Sequence, residues 1–167
     1  VPLTMVIGNS HAEQALSSFK PIAEQTKTNL QAYLLGGCQY PVRAVNASNE
    51  CSEFNTKMTE EILKRKPQTV VLIATVAQAR SNDERVDPSL DETVRRLTEA
   101  GIQVIGLRDN PRFEYNIYEC AQKAGADKSS CARPASEKYA AENPAKEVFD
   151  KYRGQGAVMV DLADVYC

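Results

Sequence analysis

The sequence predicts an α/β fold, with a mainly parallel sheet and helices on both of its faces. Three observations point to it. Short apolar runs alternate with longer segments of helical spacing along the whole chain. The clearest run, Thr69-Val70-Val71-Leu72-Ile73-Ala74, is continuously apolar, as suits a strand covered on both faces. The 167 residues, 43% hydrophobic and 25% charged, suffice for one domain with a single core.

The elements follow in order. Pro2-Leu3-Thr4-Met5-Val6-Ile7 is a short buried strand closed by Gly8. From residue 11 to about 28, the residues Ala12, Ala15, Leu16, Phe19 and Ile22 recur at helical spacing. Pro21 is expected to kink or end the regular part. Gln31-Ala32-Tyr33-Leu34-Leu35 is a second strand, stopped by Gly36-Gly37. Ser52 is the expected N-cap of a helix through Met58, Ile62 and Leu63, ending near Lys66-Pro67. The run at 69–74 is the third strand. Asp87-Pro88 opens a helix through Leu90, Val94, Leu97 and Ala100, and Gly101 ends it. Gln103-Val104-Ile105-Gly106-Leu107 is the fourth strand, followed by a turn at Asp109-Asn110-Pro111. A long excursion then runs to about residue 150. Its part from 137 to 152 is expected to be helical, with a break at Pro144. Ala157-Val158-Met159-Val160-Asp161 is the fifth strand.

Charge and composition exclude some roles. A net charge of −2 gives no field to steer nucleic acid. No apolar run approaches the roughly 18 residues that cross a bilayer. No signal peptide is visible before the first strand, so the chain reads as a cut piece or a mature fragment. The five cysteines include no CxxC pair, and His11 is the single histidine, so no metal site is expected. The sequence gaps suggest two local bridges, Cys38 with Cys51 and Cys120 with Cys131. Closing loops of that length stabilises a fold by about 3 kcal/mol in the chain-entropy model. Such bridges imply an oxidising compartment. The alternative is five buried thiols in a reducing one. Cys167 is left over at the chain end, which suggests a partner beyond it.

Parallel sheets place their sites at the carboxyl ends of the strands. The weight therefore falls on Gly8-Asn9-Ser10-His11, Gly36-Gly37-Cys38, Thr75-Val76-Ala77-Gln78 and Arg108-Asp109-Asn110-Pro111-Arg112. Gly8 permits a tight turn, and Ser10 then stands at a helix N-terminus. There the backbone N–H groups and the helix dipole suit a developing oxyanion. Taken locally, Ser10 is equally a simple N-cap, the commoner use of a serine in this place.

The wider pattern resembles a known family. Gly8-Asn9-Ser10-His11-Ala12 resembles the GDSHA signature of the SGNH hydrolase superfamily, specifically of SGNH domains fused behind bacterial acyltransferase-3 membrane domains. Gly36-Gly37-Cys38 resembles that family's second block. Arg65-Lys66-Pro67-Gln68-Thr69-Val70-Val71-Leu72 resembles its lead into the third strand. Leu107-Arg108-Asp109-Asn110-Pro111-Arg112-Phe113, with Cys120 and Cys131 following, resembles its D-x-P-R loop and disulfide. Val160-Asp161-Leu162-Ala163-Asp164-Val165-Tyr166-Cys167 resembles a segment that precedes a second Cys and the catalytic Asp-x-x-His.

The resemblance implies a three-layer α/β/α sandwich of SGNH, flavodoxin-like type, as one domain over 1–167 that stops short of the Asp-x-x-His segment. It implies an extracytoplasmic O-acyltransferase, with acetyl the usual group, acting on cell-wall or surface polysaccharide. Ser10 is the implied nucleophile, and the N–H groups of Ser10 and Gly37 the implied oxyanion hole. No cofactor is implied. The acyl donor would come from a tethering acyltransferase-3 membrane domain, the acceptor would be a carbohydrate, and the domain would be a monomer. Alternatives on the same fold are a secreted carbohydrate esterase and a non-catalytic binding module. Three departures bear on this. Asn9 stands for the usual Asp. No third-block Asn follows the third strand, where Thr75 and Gln78 are the available substitutes. No Asp-x-x-His is present, so the chain alone should be nearly inactive. His11 follows Ser10 directly, so its ring should point away from the hydroxyl and pack against the loops around the site.

Overall fold

The structure, a computed structural model, describes residues 1–125 and 127–166, the last of these by its backbone alone. Five strands are present among them: β1 (Leu3–Gly8), β2 (Asn29–Leu34), β3 (Thr69–Ile73), β4 (Gln103–Leu107) and β5 (Ala157–Val160). They form one sheet in the order β2-β1-β3-β4-β5, and every neighbouring pair is parallel. The order reverses between β1 and β3, which makes that gap the topological switch point of a flavodoxin-like sheet. The register sets Gly8 opposite Leu34, and Ile7 opposite Leu72. The loops after β1, β2 and β3 therefore leave the same end of the sheet side by side.

Helices α1 (Ser10–Thr26), α2 (Asn49–Arg65), α3 (Ser89–Glu99), α4 (Ile117–Ala124), α5 (Ala135–Lys138), α6 (Lys146–Lys151) and α7 (Ala163–Tyr166) complete the elements. Alternate strand residues face opposite sides. Met5, Ile7, Val70, Leu72 and Val104 pack with Ile62 of α2, with Leu90, Val94 and Leu97 of α3, and with Phe149 of α6. Val6, Val71 and Ile73 pack with Ala12, Ala15, Leu16 and Phe19 of α1. All five residues of β3 are buried, as its unbroken apolar run requires. Gly106 of β4 lets α6 approach closely, since a Cβ there would stand 2.2 Å from Phe149 Cζ. Gly106→Ala is expected to cost about 1–3 kcal/mol by overpacking, read from the midpoint of denaturant unfolding.

Four local expectations are corrected. Pro21 neither ends nor interrupts α1, which runs on to Thr26. Pro21 and Ser17, whose carbonyl loses its helical partner, both lie on the exposed side, where water can satisfy the lost bond. The N-cap of α2 is Ser48, whose side chain accepts from Cys51 N–H, and not Ser52. Residues 109–111 carry no regular turn. The stretch from 137 to 152 holds only the end of α5 and the whole of α6, with irregular chain between them. Ala145 and Tyr139 are buried in that stretch, and the side-chain amide of Asn143 holds the turn before α6 by accepting from Ala145 N–H.

Candidate active site

The turn from β1 into α1 is built by Gly8 and Asn9. Gly8 takes φ 152°, and a Cβ there would come within 3.0 Å of Ala12 Cβ. Asn9, 7% exposed, is the N-cap of α1. Its Oδ1 accepts from His11 N–H at 3.0 Å, and its carbonyl accepts from Glu13 N–H at 3.1 Å. Its Nδ2 donates to Gln39 Oε1 at 3.3 Å. The side-chain amide thus both accepts and donates, which an ionised carboxylate in the same place could not do. Ser10 is consequently the first helical residue and not the cap. It is exposed, and among the described residues neither its Oγ nor its N–H has a partner.

The loop after β2 starts beside this turn, with Leu35 N–H donating to Gly8 carbonyl at 2.9 Å. Gly37 takes φ 71°, a conformation that disfavours any residue with a Cβ, and its N–H has no partner among the described residues. The loop is held from below. Gln39 Nε2 donates to Ile73 carbonyl at 2.6 Å, so Gln39 joins the ends of β1, β2 and β3. Asn55 of α2 accepts from Val42 N–H at 3.0 Å and donates to the Gln39 and Cys51 carbonyls at 3.0 Å. Tyr40 is buried with its hydroxyl 3.0 Å from Thr59 Oγ1, and burial pushes its phenol up to about 12. Sequence reasoning missed Gln39 and Asn55. Asn55 was findable, because it shares a helix stripe with Cys51 and Ile62.

The loop after β4 closes the site from the other side. Asp109, 1% exposed, accepts at Oδ1 from His11 Nδ1 and at Oδ2 from Ala77 N–H at 2.9 Å. Its own N–H donates to Thr75 Oγ1 at 2.9 Å. The His11 ring therefore lies against the loops around the site, as expected. Thr75 is fully buried and committed to Asp109. Next to Asp109, Arg108 is buried against Glu84 at 2.6 Å and reaches Asp161 Oδ2 at 2.9 Å. The ring of Tyr139 lies 4.6 Å from the Arg108 guanidinium carbon.

The model of the SGNH domain found fused to AT3 domains matches residues 1–167, the whole chain. The chain belongs to this SGNH family. No curated protein matches it. A solved structure does: the periplasmic domain of a lipopolysaccharide acetyltransferase from Salmonella ser. Paratyphi A. The TM-score is 0.59 at 13% identity, over 99% of this chain and 67% of that one. At this identity the likeness establishes the shared fold.

In this SGNH domain the first two blocks follow the neighbouring strands β1 and β2, with Ser10 opening α1 and Gly37 on the loop after β2. The third block does not offer Thr75 to a ligand, and Gln78 stays half-buried beside it. Both expected disulfides are present. Cys120–Cys131 joins α4 to the short turn at Ser129–Cys131. Cys38–Cys51 ties the residue after Gly37 to the first turn of α2. The expectation for Cys167 lies outside the described residues. Replacing Cys38 and Cys51 together by Ser is expected to cost about 3 kcal/mol, seen as an earlier thermal transition. The control is the wild type under reduction, which should shift in the same direction.

Proposed function

We propose that this SGNH domain is an extracytoplasmic O-acetyltransferase that passes an acetyl group through Ser10 to a hydroxyl of a cell-wall or surface glycan. The observation that carries the reading is the release of Ser10 from capping duty. Asn9 caps the helix, and Ser10 stands exposed and unpaired past the carboxyl end of β1, while the Gly37 N–H past the end of the neighbouring β2 is not used by the fold. Ser10 Oγ attacks the acetyl carbonyl. The Ser10 and Gly37 N–H groups and the positive end of the α1 dipole stabilise the tetrahedral oxyanion. The leaving group departs to give acetyl-Ser10, and a sugar hydroxyl takes the acetyl and restores Ser10.

Three facts favour transfer outside the cytoplasm. The family is one fused to AT3 domains, which could deliver the acetyl group from a membrane. The Salmonella neighbour is an acetyltransferase periplasmic domain. The two disulfides fit an oxidising compartment. No described helix is long and apolar enough to cross a membrane. A hydroxyl nucleophile needs a base. The family uses the histidine of an Asp-x-x-His pair, which these 167 residues do not contain. The reading therefore assigns the base to a part of the protein outside them.

The test is covalent. The protein that carries this domain together with its base is incubated with 4-nitrophenyl acetate, stopped with acid, and weighed by intact mass spectrometry. One acetyl group should be found and should map to Ser10. A Ser10→Ala protein acetylated to the same extent, or a label mapping elsewhere, would refute the reading.

A further inference from the structure

Asp109 carries a charge almost wholly out of water, and such burial persists only when the group is fully paired. Its carboxylate serves donors from three places. Oδ1 meets His11 Nδ1, 98 positions away in sequence. Oδ2 accepts from Ala77 N–H at 2.9 Å and from Arg112 Nε at 3.3 Å. Tyr139 adds a fourth hold, its hydroxyl donating to the Asp109 carbonyl at 2.9 Å. The acyl-transfer reading above uses none of these contacts. His11 is the only histidine in the sequence, and its Nε2 has no protein partner among the described residues.

We propose that Asp109 is a positioning residue: it holds the His11 imidazole in the Nδ1–H tautomer and leaves Nε2 as a bare acceptor, one residue from Ser10. The donor inventory decides the tautomer. A carboxylate can only accept, so a neutral imidazole facing Oδ1 must donate from Nδ1. Its remaining nitrogen is then unprotonated. Carboxylates orient histidines in the same way in hydrolytic sites. The contact also pins the first turn of α1, which carries Ser10, to the segments after β3 and β4. The functional half of this proposal rests on Ser10 being the nucleophile. The tautomer half does not.

Asp109→Asn tests both halves with an isosteric change. Ala77 N–H and Arg112 Nε–H still require an acceptor, so the new amide must turn its oxygen to them and its NH2 toward His11. The imidazole must then accept at Nδ1 and carry its proton on Nε2. In the 167-residue domain His11 is the single histidine, so a nitrogen-15 long-range NMR spectrum of that domain at alkaline pH shows one imidazole and reads its tautomer directly. Wild type should show Nδ1–H and the variant Nε2–H. In the protein that carries this domain and its base, acetylation of Ser10 by 4-nitrophenyl acetate should slow about 10- to 100-fold with the same substitution, as for a nucleophile displaced from its place. The wild-type spectrum needs no variant, so a poorly folding Asp109→Asn still leaves a decisive measurement. An Nε2–H tautomer in wild type, or Nδ1–H retained in the variant, overturns the proposal. So does a flipped tautomer with an unchanged acetylation rate. If wild type forms no acetyl-Ser10 at all, the nucleophile reading falls, and the two spectra alone decide whether Asp109 sets the imidazole.

Discussion

Ser10→Ala is expected to remove acetyl transfer by the protein that carries this domain, with a loss of at least about 10³-fold in turnover. Without Oγ no acyl-enzyme can form, and the N–H groups of Ser10 and Gly37 can only stabilise slow direct attack by water or acceptor. The same substitution should leave stability unchanged within about 0.5 kcal/mol, because Oγ is exposed and makes no contact that folding uses. Asn9→Ala should behave in the opposite way. It removes the cap of α1 and the link to Gln39, and should cost about 1 kcal/mol or more. Paired measurements of turnover and of denaturant midpoint separate the two residues. If Ser10→Ala destabilised the protein as a lost cap does, the placement of Asn9 as the cap would be wrong.

Arg108→Leu is expected to have the largest effect on stability, about 3–5 kcal/mol. Arg108 and Glu84 have side chains 7% and 0% exposed. Three guanidinium–carboxylate contacts of 2.6–3.1 Å join them, and Arg108 Nη2 also donates to Ala140 carbonyl at 2.8 Å. Removing the arginine leaves Glu84 charged, buried and unpaired, which costs more than the pair contributes. Glu84→Leu alone should be harmful but less so, because Arg108 keeps Asp161 and the Ala140 carbonyl as partners. The Arg108→Leu, Glu84→Leu double variant should recover much of the loss, because an apolar pair leaves no buried charge. A double-mutant cycle from chemical unfolding gives the coupling. Additive single losses would show that the pair is not the unit that matters. Asp161 contributes less to this cycle, since its side chain is 40% exposed and water screens it.

Much of this was legible in the residue order. The five strands and the three longest helices follow from local apolar periodicity, and β4 (Gln103–Leu107) matches its expected bounds. The two bridges followed from short sequence gaps between cysteines. Other local signals misled. Ser10 and Ser52 both looked like caps because serine caps helices by its own chemistry, yet Asn9 and Ser48 do so. At α1 the residue whose side chain also reaches the neighbouring loop, Asn9 through Gln39, took the position.

What the sequence determined by itself is therefore the set of elements, the α/β class, and the placing of Ser10 and Gly37 just past consecutive strands. The tertiary structure alone decided which polar groups serve those residues. Asn9 meets Gln39 across 30 positions, Arg108 meets Glu84 across 24, and His11 meets Asp109 across 98. Such contacts have no periodicity to betray them. They depend on which loops the order β2-β1-β3-β4-β5 sets next to one another, and on buried polar groups having to find partners once water is excluded.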